Sequence, residues 1–494
     1  MTFGSWLSAL GRRSASGSGL APLACALLVG VSLTAQSPIE RSKPPALGPT
    51  PQLKLPAIQK STLSNGVPVW LVEAHEVPMV QISLLLKAGA GDDPSGKFGL
   101  ASLTAAMLDE GAGSRSALEI ADEIDFLGAS LGTSSSFDAS TVRLGVPVAR
   151  MGPALTVMAD VALRPTFPEA ELERLRQERL TDLLQARDDA ASVAPMAFAR
   201  LLFGPSNRYG TGVIGTEATI KGFTTSDLKA FHSAWFQPAN ATLIVVGDAT
   251  AASVVPQLEK QFGSWRAAGA APRHTVVPNA PQPAQRQIVL VDMPGAEQSQ
   301  IRIGDVGVPR STPDYFTLQV LNTILGGSFT SRLNQNLREQ HGYSYGASSR
   351  FDMRLSAGPF IAGAGVQTDK TAEALREFFN ELTAIGKPVS AEELTKAKNY
   401  LALGFPSQFE TIGDFSAQLE QLVVYGLPDN YFADYVKNLE AVTADAVMKA
   451  AAKYIQPQRF LVVVVGDRKV IDPGIRALNL GMVRTMSVQE ALGE

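Results

Sequence analysis

The sequence predicts an α+β protein of two homologous tandem domains, each a mainly antiparallel sheet covered on one side by helices. Three observations lead there. A Pro- and Ala-rich stretch, residues 267–286, divides the chain beyond residue 60 into two parts of similar size. The two parts repeat each other. Gln237-Pro238, the apolar run 243–246 and Gly247-Asp248 recur as Gln456-Pro457, the run 461–465 and Gly466-Asp467, and the offset is 219 both from Pro238 to Pro457 and from Asp248 to Asp467. Within each part, β-rich runs joined by short turns flank a grouped set of helical stretches, the order expected of helices laid on a sheet. Collinear anchors at nearly one offset indicate duplication; a solenoid would need a shorter period and more copies.

The elements follow in chain order. Arg12 and Arg13 precede a Ser/Gly spacer and an apolar run over 20–33 that ends in small residues at Thr34 and Ala35, the pattern of an export signal over residues 1–35. The run is short for a membrane span. Cleavage after Ala35 removes Cys25, the single cysteine, so the expectation is an exported, periplasmic chain with no disulfide and no stable membrane span. Residues 36–60 read as a Pro-rich tether. The N-terminal domain, residues 61–266, opens near Leu63, where the Asn65-Gly66 turn precedes strand-like runs at 67–72 and 79–86, read as a hairpin or neighbouring strands. Residues 134–147 alternate polar and apolar. They read as an ordinary strand, with an edge strand that accepts an extended peptide as the alternative. Pro168 to Leu172 opens a charged helix, echoed by Val389 to Leu394 at an offset of 222 from Leu172 to Leu394. The C-terminal domain, residues 287–480, repeats the opening strands, with 288–291 matching 69–72 and Gln300 matching Gln81; residues 481–494 form a tail.

Composition bounds the function. Hydrophobic residues make up 45% and charged residues 18%, enough apolar material for large cores. Net charge is −4 and no basic stripe occurs, so nucleic acid is not an expected partner.

The string 98–108, Phe-Gly-Leu-Ala-Ser-Leu-Thr-Ala-Ala-Met-Leu, resembles the active-site helix of the pitrilysin, insulinase and mitochondrial processing peptidase family. In catalytic members that helix carries His-x-x-Glu-His, two zinc ligands one turn apart and a base for water. The matching positions here are Ser102, Ala105 and Ala106, which can supply neither. No metal is therefore expected in this chain, and no cofactor. The four histidines, His75, His232, His274 and His341, are too far apart in sequence for a helical ligand pair and read as ordinary surface or helix-end residues. The family's third ligand is a Glu further along; that region holds Glu173, Glu178 and Asp182, read as a solvated face.

In the second half, residues 325–333 and 337–345 resemble the family's C-terminal signature: a glycine loop, a helix ending in Ser-Arg-Leu, then Arg338 and Tyr345 seven apart around Gly342. The resemblance implies that Arg338 and Tyr345 bind the substrate carbonyl and stabilise its oxyanion, since Arg offers a fork of donors and Tyr one phenolic donor. The alternative is a helix cap for Arg338 and a core position for Tyr345. Gly326, Gly327 and Ser328 are either a peptide-contacting loop or a helix cap and turn.

The resemblance further implies half of a clamshell chamber. It points to the non-zinc subunit of a heterodimer, whose homologous partner carries His-x-x-Glu-His and the zinc while both enclose peptide substrates. A catalytically inactive peptide-binding or structural scaffold of the same fold is the second reading. A serine hydrolase has little behind it, because Ser102 has no histidine nearby in sequence to act as its base.

Overall fold

The computed structural model describes residues 53–493 apart from Arg273. The expected export signal, Cys25 and most of the tether lie outside the described residues.

The first sheet contains β1 (Gln59–Thr62), β2 (Pro68–Glu73), β3 (Met79–Leu86), β4 (Ser130–Ser135), β5 (Ser140–Pro147) and β6 (Ala241–Gly247) in the spatial order β1-β2-β6-β3-β5-β4. The second contains β7 (Gln287–Asp292), β8 (Gln298–Val306), β9 (Ser344–Phe351), β10 (Pro359–Gln367), β11 (Leu461–Gly466) and β12 (Val483–Ser487) in the order β9-β10-β8-β11-β7-β12. Both are mainly antiparallel, with β2 parallel to β6 and β7 parallel to β11 at equivalent places. The duplication is thus visible in five of the six strands of each sheet; the outermost differ, β1 pairing antiparallel with β2 and β12 parallel with β7.

Three sequence readings need correction. The runs at 67–72 and 79–86 are not paired, because β6 inserts between them, parallel to β2 and antiparallel to β3. Local apolar patterning does not say which strand returns to fill a gap. The stretch 134–147 spans the end of β4, a turn and β5; β5 is interior, between β3 and β4, and the edge is β4. The expected tail adds β12 to the outer edge of the second sheet, parallel to β7.

Helical cover is also fuller than the one-sided arrangement expected. Strand side chains alternate between faces. On β6, Leu243 and Val245 join the first half's own helices in one core. Ile244 and Val246, on the other face, pack instead with Phe415, Leu419 and Leu422 of the second half. Reciprocally, Val463 and Val465 of β11 pack with Val193, Ala197 and Phe198 of the first half, while Val462 and Val464 face their own helices. Each half therefore lends one helix to the other's sheet. The lent helices follow the two long helices whose openings repeat at the 222 offset, and their caps, Asp189 and Thr411, stand at that offset too. Asp189 accepts from the amides of Ala191 and Ser192, and Thr411 forms a capping box with Asp414, so both helices start at sequence-encoded stops. With both faces covered, β6 and β11 are buried along their whole lengths and read as unbroken apolar runs.

Candidate functional site

The first candidate is helix α1 (Leu100–Ala106), which carries Ser102, Ala105 and Ala106. Its start is tightly built. Gly99 takes φ +104°, and a Cβ there would lie 2.3 Å from the Ile214 carbonyl oxygen, so only glycine fits. The Asp93 carboxylate accepts from the amides of Gly99 and Ala101, both at 2.7 Å, satisfying orphan donors of the first turn. Buried Arg208 pairs with Asp93 at 2.9 Å and donates to the carbonyls of Thr211 and Gly212, so the carboxylate's charge is matched.

The positions that would hold zinc do not fit one. Ser102 supplies a hydroxyl and Ala105 and Ala106 supply methyl groups, while the charged group in contact with Ser102 is a cation. Arg179, from the helix α2 (Glu169–Arg187), donates from Nη2 to the Ser102 carbonyl at 3.0 Å and to its Oγ at 3.2 Å. Glu173, Glu178 and Asp182 on α2 are exposed. Among the described residues, no group of three or more His, Cys, Asp and Glu side chains could hold a metal ion.

Of the histidines, His75 and His341 are exposed, the first between Asp248 and Glu73, the second stacked on Tyr343. Of the other two, His232 stands in the last turn of the helix Thr225–Trp235, a helix end as expected, and His274 is not an ordinary surface residue. His232 is half-buried, bonded through Nε2 to the Ala162 carbonyl at 2.9 Å and stacked on Phe236, and burial holds its pKa down. His274 sits between the Asp92 carboxylate and the Asp138 carbonyl, each at 2.9 Å, tying the interdomain segment to the first half.

The second candidate lies after α3 (Tyr315–Leu325). Gly326 ends this helix, donating its amide to the Asn322 carbonyl at 2.8 Å, and a Cβ on Gly326 would lie 2.4 Å from the Ser349 nitrogen on β9. Gly327 also bonds Asn322, and Ser328 donates to the Thr323 carbonyl at 3.1 Å. Ser328, Thr330, Arg332 and Gln335 line a cavity of about 270 Å³. The helix expected to end in Ser-Arg-Leu instead begins there: Ser331 precedes its first turn, which widens into a π-turn over Gln335–Gln340. Such turns often mark functional sites.

Arg338 sits on that π-turn. Gly342, at φ +65°, closes it by donating to the Arg338 carbonyl at 3.0 Å. The chain then enters β9, an edge strand, with a bulge between Ser344 and Ala347. The bulge frees Tyr345 from strand pairing and turns it outward, where it is 90% exposed, which excludes a core position. The Arg338 guanidinium lies 5.1 Å from the Tyr345 ring and 4.5 Å from that of Phe329, and pairs with Glu339 at 3.3 Å. The two predicted side chains are therefore neighbours on an open surface, within cation–π range.

Comparison with known proteins places this architecture. Residues 69–200 match the sequence profile of insulinase, peptidase family M16, and residues 222–401 match that of the peptidase M16 inactive domain, together more than half of the chain. The chain belongs to peptidase family M16. An uncharacterized zinc protease of Bacillus subtilis is 25% identical over 347 residues, 70% of this chain and 82% of its own. The crystal structure of a peptidase M16 inactive domain from Pseudomonas fluorescens superposes with a TM-score of 0.77 at 27% identity, covering 83% of this chain and 98% of that one. The first half of the periplasmic protease PqqL from Escherichia coli shares the M16 fold, with a TM-score of 0.68 at 17% identity over 89% of this chain and 98% of that one.

Sequence reasoning missed two groups, the Asp93–Arg208 pair and Arg179. The second had a signal. Leu172, Arg176, Arg179 and Leu183 recur at helical spacing, and Leu172 and Arg176 are buried, so the stripe carrying Arg179 faces inward on a helix otherwise read as solvated.

Proposed function

We propose that this M16 chain is the non-zinc-binding subunit of a heterodimeric zinc metallopeptidase, exported to the periplasm, where it binds peptide and polarises the bond to be cut. The observation that carries the reading is the neighbouring placement of Arg338 and Tyr345, both accessible, in a chain whose α1 offers no metal ligands. A homologous partner with His-x-x-Glu-His would supply zinc, and with it an activated water. This chain's part is to receive the substrate carbonyl oxygen between the Arg338 guanidinium and the Tyr345 hydroxyl, both of them donors. The cation stays charged throughout and matches the negative charge that develops on that oxygen. The Phe329 ring and the Glu339 carboxylate both contact the guanidinium, which limits its reorientation during the reaction. Gly326, Gly327 and Ser328 are assigned to the peptide-contacting surface beside the pair. Export rests on the residue 1–35 pattern. Among the described residues no helix is long and apolar enough to cross a membrane, and the M16-fold neighbour PqqL is periplasmic.

The match to an inactive M16 domain favours a second reading, a peptide-binding or structural scaffold with no part in catalysis. Co-purification with the His-x-x-Glu-His homologue, followed by peptidase assay of each chain and of the mixture, separates the two. The subunit reading expects turnover only in the mixture and its loss in Arg338→Ala; the scaffold reading expects Arg338→Ala to be silent.

A further inference from the structure

The cation on Ser102 is an unusual tenant for a helix that has merely lost its ligands. Arg179 is held by Ser102 through Nη2 alone, and its Nη1 is buried with no acceptor. Burial lowers its pKa to about 10, against Glu178 and Asp182 on its own helix, so it remains charged at neutral pH. A buried guanidinium with unmet donors costs free energy, and an apolar side chain of similar volume would fill the same space without that cost. Its position supplies the reason. Ser102 stands where the family resemblance puts the first zinc ligand, and Arg179 projects from α2, where the third ligand would arise. Ala105 and Ala106, three and four residues on from Ser102, share its side of α1 and add only a methyl each.

We infer that Arg179 takes the place and the charge of the metal ion in front of α1, bracing α1 to α2 where ligands from both helices would otherwise meet, and barring a divalent cation from the site. The inference rests on the reading that this chain supplies no zinc, and it adds a cause. Metal is excluded by a resident positive charge as well as by absent donors, because a cation beside a fixed guanidinium is repelled at short range in a poorly solvated setting. Restoring ligands alone therefore does not restore the site.

The test uses the full chain with Ser102→His, Ala105→Glu and Ala106→His, made with Arg179 kept, with Arg179→Gln and with Arg179→Glu. Zinc content after dialysis and zinc affinity by competition with a chromophoric chelator are read on each, with circular dichroism as the check on folding. The variant keeping Arg179 is expected to hold no stoichiometric zinc. Neutralisation in Arg179→Gln should raise affinity at least ~10-fold, and Arg179→Glu, which adds a carboxylate from α2, at least ~100-fold, approaching one zinc per chain. Should the Glu variant not fold, the Gln variant carries the comparison. Tight stoichiometric zinc with Arg179 in place overturns the inference, as does the absence of any gain in a folded Gln or Glu variant. In the otherwise natural chain, Arg179→Leu should speed hydrogen exchange of the α1 amides, and unchanged exchange there removes the bracing role. Peptidase assays of the heterodimer test the subunit role separately, so either claim can fail alone.

Discussion

The exchange of helices between the halves makes a demanding prediction about Phe198. This side chain belongs to the first half, is 1% exposed, and packs with Val291, Ile361, Val463 and Val465 of the second sheet. Truncating a buried Phe to Ala typically costs ~3–5 kcal/mol, from lost transfer free energy and the cavity left behind. If the halves unfold as one cooperative unit, the most protected amides of both sheets should lose hydrogen-exchange protection by the same factor. At ~4 kcal/mol and 1.4 kcal/mol per decade, that factor is about 10³. The amides to follow are those of Val463 and Val464 on β11 and of Val245 and Val246 on β6, by exchange and mass spectrometry of peptides, in the natural chain and in Phe198→Ala. Leu419→Ala, 0% exposed and lent in the opposite direction, is the mirror experiment, with ~2–5 kcal/mol expected. Protection of β11 that stays constant in Phe198→Ala would refute the argument, because it would mean that the lent helix is a peripheral cover and not part of the second half's core.

Three further predictions concern the site. Asp93→Asn leaves Arg208 buried without its counter-charge and weakens the cap on α1, so a stability loss of about 3–5 kcal/mol is expected in urea denaturation; a loss under about 1 kcal/mol contradicts the role assigned to the pair. For His274, burial disfavours the charged ring, but the hydrogen bond and charge of Asp92, with the Asp138 carbonyl and charge, outweigh it and raise the pKa above 6.5. A raised folded-state pKa stabilises fully below the unfolded value and is lost as pH rises through the folded one. The stability advantage of the natural chain over His274→Gln should accordingly be largest at about pH 5.5 and shrink by about pH 8.5, and an advantage that grows with pH is the contrary result. Gly326→Ala places a methyl 2.4 Å from the Ser349 nitrogen and should lower stability by about 1–3 kcal/mol, measured as a fall in Tm.

What the sequence disclosed follows what short-range chemistry can encode. The central strands were legible because β6 and β11 are unbroken apolar runs between turn residues, and the duplication was legible because those runs repeat at one offset. Strand neighbours were not, since the β2–β6 pairing depends on where a strand more than 160 residues later returns. Nor could residues 190–203 reveal whose sheet they cover; Val193, Ala197 and Phe198 specify an apolar stripe and not its partner. At the site, Arg338 and Tyr345 were found through a family pattern, while the bulge that turns Tyr345 outward rests on Ser344 Oγ accepting the Gly346 amide at 3.0 Å, a side-chain substitution for a ladder bond with no periodicity to read. Arg179 was hidden among many charges on α2, because charge content was read there in place of position.

The measurement that bears most directly on the central claim is peptide hydrolysis by this chain, by its His-x-x-Glu-His homologue, and by the two together. The account predicts turnover only in the mixture, and a fall of ~10²–10³ in kcat for Arg338→Ala, the cost of losing one donor to the developing oxyanion, with complex size and zinc content unchanged. Hydrolysis by this chain alone, or full turnover in the Arg338→Ala mixture, would contradict it.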